Sequence, residues 1–206
     1  MPGKDGKRRV REAALELFAA KGVRGASTRE IARRAGLAEG TIYRHFDGKE
    51  ALAAEVFLEA AGALRSRLER ELEGTRGAEE ALRRLVRGFF GFAGDEPARW
   101  RCIADDHPSL RRIPPGTRLP KDVVLEVVRR GIREKGWQVR DPVLAAAMII
   151  GTVTRALFFL GEGLLSGPRE ELAEKTATLL LHGLRKGEAE RRKGGKGNEG
   201  DRVPRQ

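Results

Sequence analysis

The sequence of 206 residues predicts an all-α protein in two parts, a small N-terminal domain of three helices and a larger C-terminal helical domain. Apolar residues recur at intervals of three and four, the spacing of one buried helix face. Residues typical of helix starts and helix ends flank these segments. No segment shows the alternation of apolar and polar residues that a half-buried strand needs. We place the domain boundaries at residues 1–50 and 51–186, followed by a basic tail at 187–206 that has little to bury and is predicted to be disordered.

The first predicted helix ends at Lys21-Gly22 and supplies one wall of a small core. Its inward residues share helical spacing; they are Val10, Ala14, Leu17 and Phe18.

Two short helices are then predicted on either side of Gly36. Ser27 and Glu30 have the spacing of a capping box, and Gly36 suits the left-handed conformation that ends a helix. In the second helix Ile42 and Phe46 face inward, one turn apart. This arrangement is a helix-turn-helix, whose second helix lies in the DNA major groove in proteins that use it for recognition. The residues left on its outer side are Glu39, Gly40, Thr41, Tyr43, Arg44 and His45.

The next helix is long and is predicted to begin with a second capping box. Asp47 would be its N-cap and Glu50 its third helical residue. Free backbone amides at a helix start attract anions, so this start, with Lys49 beside it, is a candidate site for a DNA phosphate.

Residues 8–52 resemble the DNA-binding domain of the TetR, or tetracycline-repressor, family of bacterial transcriptional regulators. The family pattern runs Thr-Ile/Leu-Tyr-x-His/Tyr-Phe and then Lys-Glu-x-Leu. This chain has Thr41-Ile-Tyr-Arg-His-Phe46 and Lys49-Glu-Ala-Leu52 at the matching places. The resemblance implies an all-helical homodimer with an N-terminal DNA-reading domain and a C-terminal domain that binds an inducer.

The resemblance also assigns DNA contacts by position. Thr28 and Arg29 match family residues that reach bases or phosphate from the start of the first motif helix, and Lys49 matches a phosphate contact. The recognition-helix positions that match are Gly40, Thr41, Tyr43, Arg44 and His45.

Two residues depart from the family pattern. Ala38 stands where the family often has Ser, which leaves the recognition helix without a side-chain cap, and Glu39 stands where Lys is common. Glu39 either accepts a hydrogen bond from a cytosine amine or is only solvated, and both interpretations stay open.

The positive charge lies mostly at the two ends of the chain. The net charge is +11; residues 1–50 carry 12 Lys and Arg against 7 Asp and Glu, and residues 185–206 carry 8 against 4. This distribution fits attraction to phosphate, although a solvated charged surface has the same composition.

Cysteine content and apolar stretches predict a soluble, cytoplasmic protein with no membrane association. The lone Cys102 cannot form a disulfide within the chain, as expected in a reducing compartment. The charged N-terminus is not followed by the apolar stretch of a secretory signal. The apolar stretch Val143 to Thr154 is interrupted by Arg155, short of the ~20 residues that a membrane span requires.

Six further helices are predicted after residue 50. The first two cover residues 51–72 and about 82–93. A short helix follows, with Asp95 as N-cap and Pro97 in its first turn. The last three cover residues 119–134, 142–165 and 168–186, and Asp141-Pro142 opens the second of these in the same way.

The helix predicted at residues 142–165 is apolar almost all round. One side carries Ala146, Ile149, Val153, Leu157, Leu160 and Leu164, and the other carries Leu144, Met148, Gly151, Thr152, Phe158 and Phe159. Such a helix must be covered on every face, and a domain of this size covers only one. The stripe predicted for the last helix is Leu172, Thr176, Leu179, Leu180 and Gly183. We therefore predict a homodimer through residues 142–186, built as a four-helix bundle across a two-fold axis.

An apolar cavity for a small-molecule inducer is predicted between the C-terminal helices. Its candidate residues are Phe89, Phe90, Phe92, Trp100, Cys102, Ile103, Trp137, Met148, Phe158 and Phe159, although each of them taken alone is better explained as ordinary core. Arg155 interrupts an apolar helix, and a buried guanidinium needs an anionic partner. That partner is either a carboxylate of the protein, at Glu162, Asp105 or Asp106, or an anionic group of the inducer.

Other functions were weighed against these. Cys102, Asp105, Asp106 and His107 contain the residue types of a nucleophile pair or a metal site, but their spacing matches no known ligand pattern. A DNA-binding architectural protein without an inducer would not need so large a C-terminal domain. The favoured interpretation is a dimeric, ligand-responsive regulator, a repressor on a palindromic double-stranded operator, with no catalytic residue, cofactor or metal.

Overall fold

The computed structural model describes residues 2–104 and 112–185, and within these ranges the chain forms nine helices and an isolated bridge between Trp137 and Arg185. The helices are α1 (Pro2–Gly25), α2 (Thr28–Ala35), α3 (Gly40–His45), α4 (Lys49–Leu72), α5 (Ala78–Asp95), α6 (Pro97–Ala104), α7 (Pro120–Arg133), α8 (Pro142–Gly161) and α9 (Arg169–Leu184). The all-α prediction is confirmed. The tail predicted at 187–206 lies outside the described residues.

The N-terminal helices close one core, as the sequence predicts. Regular α1 is interrupted at Gly22, which has a φ of 72°. Ser27 and Glu30 form both hydrogen bonds of the capping box on α2, and Gly36 ends that helix with a φ of 65°. Ile42 and Phe46 are both buried.

That core takes residues from beyond the predicted boundary at residue 50. Leu52, Ala53 and Val56 of α4 belong to it, and so does Cys102 of α6. Because α6 packs against α1, α4 and α5, it joins the N-terminal core to the C-terminal helices.

Two predicted caps are wrong. The N-cap of α4 is Gly48, with a φ of 97° and no side-chain cap, so Asp47 does not open this helix. Asp95 is the last residue of α5 and not the N-cap of α6. Both helices begin one residue later than predicted, and at α4 the N-cap position falls on Gly48, which has no side-chain acceptor. The Asp141 cap is confirmed, since its carboxylate accepts from the amides of Val143 at 2.9 Å and Leu144 at 3.0 Å.

The C-terminal domain is built around α5, which packs against α4, α6, α7, α8 and α9. Its three phenylalanines, Phe89, Phe90 and Phe92, are at most 3% exposed. This helix sets the positions of the others and leaves α8 and α9 at one edge of the domain.

One side of α8 is buried and the other is open. The buried side includes Ala146, Ile149, Val153 and Leu157, as predicted. The large apolar residues that are exposed on α8, α9 and the turn between them are Val143, Leu144, Met148, Phe158, Phe159, Leu164 and Leu179, between 39% and 70% exposed. Leu164 was predicted to share the buried side, but α8 ends at Gly161 and the chain leaves the helix before it.

The stripe predicted for α9 is partly wrong. Thr176 is buried, but Leu179 and Gly183 face outward. The buried residues are Ala173, Thr176, Ala177, Leu181 and Leu184. Leucines occur on both sides of this helix, and Leu181 and Leu184 share the buried side with the two alanines while Leu179 stays exposed.

Helix α8 is also long and apolar enough to cross a membrane by length and composition, although core helices of soluble proteins pass the same test. The prediction that Arg155 interrupts a span too early is wrong, because the helix continues through Arg155 and has 20 residues.

Candidate nucleic-acid interface and ligand cavity

Eight of the nine predicted DNA contacts lie at the start of α2 or on and just before α3, and the ninth, Lys49, begins α4. Tyr43 is 58% exposed, and Arg29, Gly40 and Arg44 are also exposed. The half-buried members of the set are Thr28, Glu39, Thr41, His45 and Lys49. We use the name reading face for the surface of Thr28, Arg29 and residues 39–45, which does not include Lys49.

The start of α2 is held by an ionised glutamate. The ammonium of Lys21 donates to Glu30 at 2.6 Å, and the Ser27 amide donates to it at 3.0 Å. These hydrogen bonds, that of Lys21 first, lower the pKa of Glu30 to about 2. The cap is therefore charged at neutral pH and fixes the end of α2 that carries Thr28 and Arg29.

Helix α3 begins at Gly40 without a side-chain cap, as the substitution of Ala38 for the family's Ser predicts. The carboxylate of Glu39 accepts a hydrogen bond from the Thr28 hydroxyl at 2.7 Å instead. The Thr28 oxygen also lies 3.3 Å from the Tyr43 hydroxyl. Sequence spacing missed this contact, because Thr28 and Glu39 belong to different helices.

Lys49 has partners within the protein. Its Nζ donates to the backbone carbonyls of Ala26 at 2.9 Å and of Arg24 at 3.5 Å. These bonds tie the start of α4 to the turn between α1 and α2. The phosphate contact expected of Lys49 stays a prediction.

A cavity of about 730 Å³ lies where α6 and α8 face each other, and α1, α5 and the start of α9 complete its walls. The predicted ligand residues that line it are Trp100, Arg155 and Phe158. Among the described residues that line it, three are arginines, Arg101, Arg155 and Arg169, and one, Glu162, has a carboxylate. The cavity is therefore part apolar and carries an excess of positive charge. Ala19 of α1 also lines it, so one of its walls comes from the N-terminal domain.

The other cavity candidates do not line this cavity. Phe89 and Phe90 are buried in the core of the domain, and Ile103 packs against that core. Met148 and Phe159 are exposed on α8. Helical spacing identifies residues on the apolar side of a helix, but it does not tell whether that side faces the packed core or a cavity.

Two further cavity candidates, Phe92 and Trp137, also belong to this core.

Arg155 is not buried, contrary to the sequence interpretation. Its side chain is exposed, and the guanidinium carbon lies 5.0 Å from the centre of the Phe158 ring. Within residues 2–104 and 112–185 it forms no ion pair with a carboxylate, and its cationic head opens into the cavity. Asp105 and Asp106 lie outside the described residues.

The alternative active site of Cys102, Asp105, Asp106 and His107 is only partly described. Cys102 is buried in the N-terminal core, while the other three lie outside the described residues. In the part of the chain that the structure covers, no three His, Cys, Asp or Glu residues form a group able to hold a metal ion.

Comparison with known proteins agrees with the helix-turn-helix. Residues 10–56 match the family model described as bacterial regulatory proteins, tetR family. Over 86% of this chain and 96% of its own length, the HTH-type transcriptional regulator YvkB of Bacillus subtilis is 24% identical. The HTH-type transcriptional activator FasR of Mycolicibacterium smegmatis is 26% identical over 72% of this chain and 69% of its own.

A solved structure has the same fold. The transcriptional regulator FadR of Bacillus subtilis in complex with stearoyl-CoA superposes with a TM-score of 0.71 at 21% identity, over 86% of this chain and 99% of the other.

Proposed function

Because this chain belongs to the tetR family of bacterial regulatory proteins, we propose that it is a cytoplasmic, non-enzymatic transcriptional regulator that responds to a small molecule. It binds a palindromic operator as a homodimer, and a largely apolar, anionic inducer releases it. Repression is the simplest form of this mechanism, since release of a bound protein then permits transcription.

The observation that carries the proposal is the double role of α6. Its Cys102 packs in the N-terminal core, whereas its Trp100 and Arg101 line the cavity. A ligand that moves α6 therefore acts directly on the packing of α1 and α4. An inducer lowers DNA affinity only to the extent that it prefers the conformer that does not fit the operator.

The cavity supports an inducer with an acyl chain and an acidic group. Trp100, Leu157 and Phe158 offer apolar surface, and the arginines outnumber the carboxylate. FadR, which shares the fold, was solved with stearoyl-CoA. Fatty acids and acyl thioesters combine the same two features, so we propose them as the inducer class.

The test compares Arg155→Met with Arg87→Met, an exposed arginine on α5 that does not line the cavity. Stearate or stearoyl-CoA is expected to raise the melting temperature of the wild type and of Arg87→Met, because a ligand that binds only the folded state stabilises it. Arg155→Met should keep operator binding and lose this shift.

Without ligand, Arg155→Met should unfold within about 1 kcal/mol of the wild type, because an exposed cation–π contact contributes only that much. An equal ligand-induced shift in both variants would contradict the role of Arg155. If neither ligand shifts the wild type or releases it from DNA, the inducer class is wrong.

Dimerisation through residues 142–186 is part of the same proposal. The open apolar sides of α8 and α9 lie next to each other, and the groove between them, of about 380 Å³, is lined by Leu144, Met148 and Leu179 among others. Exposed apolar surface of this extent is typical of protein interfaces. A two-fold axis through it would cover both helices with their counterparts.

A further inference from the structure

Three of the expected DNA contacts are bonded to one another on the reading face. The Thr28 hydroxyl donates to the carboxylate of Glu39 at 2.7 Å, and its oxygen lies 3.3 Å from the Tyr43 hydroxyl. Thr28 and Glu39 are half-buried, while Tyr43 is 58% exposed.

The direction of these hydrogen bonds follows from counting hydrogens. A threonine hydroxyl has one hydrogen to donate, and that of Thr28 goes to the ionised oxygen of Glu39, the stronger acceptor. Between Thr28 and Tyr43, the tyrosine must therefore be the donor. The bonds run one way, from Tyr43 to Thr28 to Glu39, and each polarises the next.

This direction determines what the cluster offers to DNA. With the hydroxyl hydrogens of Thr28 and Tyr43 used inside the protein, the outward-facing groups are lone pairs and a negative carboxylate. Such a surface repels a phosphate. It attracts a hydrogen-bond donor, and the donors that bases show in the major groove are the amines of cytosine and adenine.

We propose that Glu39 reads a cytosine in each half of the operator and that Thr28 and Tyr43 are positioning residues for its carboxylate. Cytosine is favoured over adenine because the adenine amine has the acceptor N7 beside it, which repels a carboxylate. The inference rests on the proposed function, since it requires sequence-specific binding to DNA.

The test is selection of bound duplexes from a random pool by the full-length wild type and by matched variants. Glu39→Gln removes the charge, Thr28→Val removes the hydroxyl at similar size, and Thr28→Ser keeps it. Glu12→Gln removes one carboxylate from α1, outside the reading face, and controls for net charge. Each variant is first shown to melt cooperatively.

The wild type should prefer cytosine at one position of each half-site by about tenfold, the value of one good base contact. Glu39→Gln should lose this preference at that position alone while binding other sequences more tightly. Thr28→Val and Tyr43→Phe should weaken the preference, and Thr28→Ser and Glu12→Gln should retain it.

The inference fails if Glu39→Gln keeps every base preference and tightens binding to all duplexes by one common factor, which is the behaviour of a solvated charge. If the wild type enriches an operator but no base position in it depends on Glu39, the inference about Glu39 is wrong and the proposed function stands. If the wild type enriches no sequence at all, the proposed function falls with it.

Discussion

Helices α5 and α8 each carry a pair of adjacent phenylalanines, but the two pairs have opposite surroundings. The adjacent Phe89 and Phe90 of α5 are 3% and 1% exposed, whereas the adjacent Phe158 and Phe159 of α8 are 49% and 39% exposed. Five other helices pack around α5, but α8 lies at the edge of the domain. The less apolar helix is therefore the better covered one, so apolar content alone does not tell which helix is buried within one subunit.

The sharpest way to test this contrast is truncation of one phenylalanine in each helix. Phe90→Ala should lower the free energy of unfolding by ~3–5 kcal/mol, because it leaves a cavity in a closed core. Phe159→Ala removes the same group from the open side. Chemical denaturation at several protein concentrations measures both.

The loss of unfolding free energy in Phe90→Ala should not depend on protein concentration. The loss in Phe159→Ala should shrink as the protein is diluted, because the dimer that covers α8 then dissociates. A concentration-independent loss of equal size in both variants would mean that α8 is covered by its own chain.

A charge on the open side of α8 tests whether a second subunit covers that side. Met148 is 63% exposed in the subunit, so Met148→Glu should fold normally but place an unpaired charge in the proposed interface. The dimer dissociation constant should rise about 100-fold, since an uncompensated buried charge costs several kcal/mol. Sedimentation measures the constant, with Arg87→Glu on exposed α5 surface as the control. Dimers of unchanged affinity in Met148→Glu would place the interface elsewhere.

Two helical glycines give the smallest and most local contrast. A Cβ on Gly131 would collide with the ring of Trp137, whereas one on Gly151, on the open side of α8, meets nothing within 4 Å in the subunit. Gly131→Ala should therefore cost ~1–3 kcal/mol through overpacking. Gly151→Ala should cost the subunit nothing, because Ala favours a helix over Gly. Thermal unfolding of the two variants measures their stabilities. Equal losses of stability in Gly131→Ala and Gly151→Ala would contradict the difference in packing.

The parts that sequence predicts well are those fixed by neighbouring residues. The capping box of Ser27 and Glu30, the left-handed Gly36 and the Asp141 cap all depend on residues within a few positions of one another, and all are found. The inward Ile42 follows from helical spacing alone. The helix starts and ends that bound the reading face therefore follow from sequence, while its contacts with DNA stay predictions.

The parts that sequence misses depend on contacts between distant segments. The bonds from Lys49 to the carbonyls of Arg24 and Ala26 join residues more than twenty positions apart. The apolar neighbours of Arg155 in the sequence predict burial, yet its side chain is exposed and lines the cavity between α8 and α6. The cavity combines helices from both ends of the chain, and no periodicity within one helix predicts such a wall.

The place of Cys102 has a consequence for how the molecule can be divided. The core around Val10, Ile31 and Ile42 is sealed partly by Leu52 and Val56 of α4 and by Cys102 of α6. A fragment that ends at residue 50 would lack these three side chains and leave apolar core atoms in contact with water. The order of α6 is therefore coupled to that of the N-terminal core, because loss of α6 would open this core at Cys102.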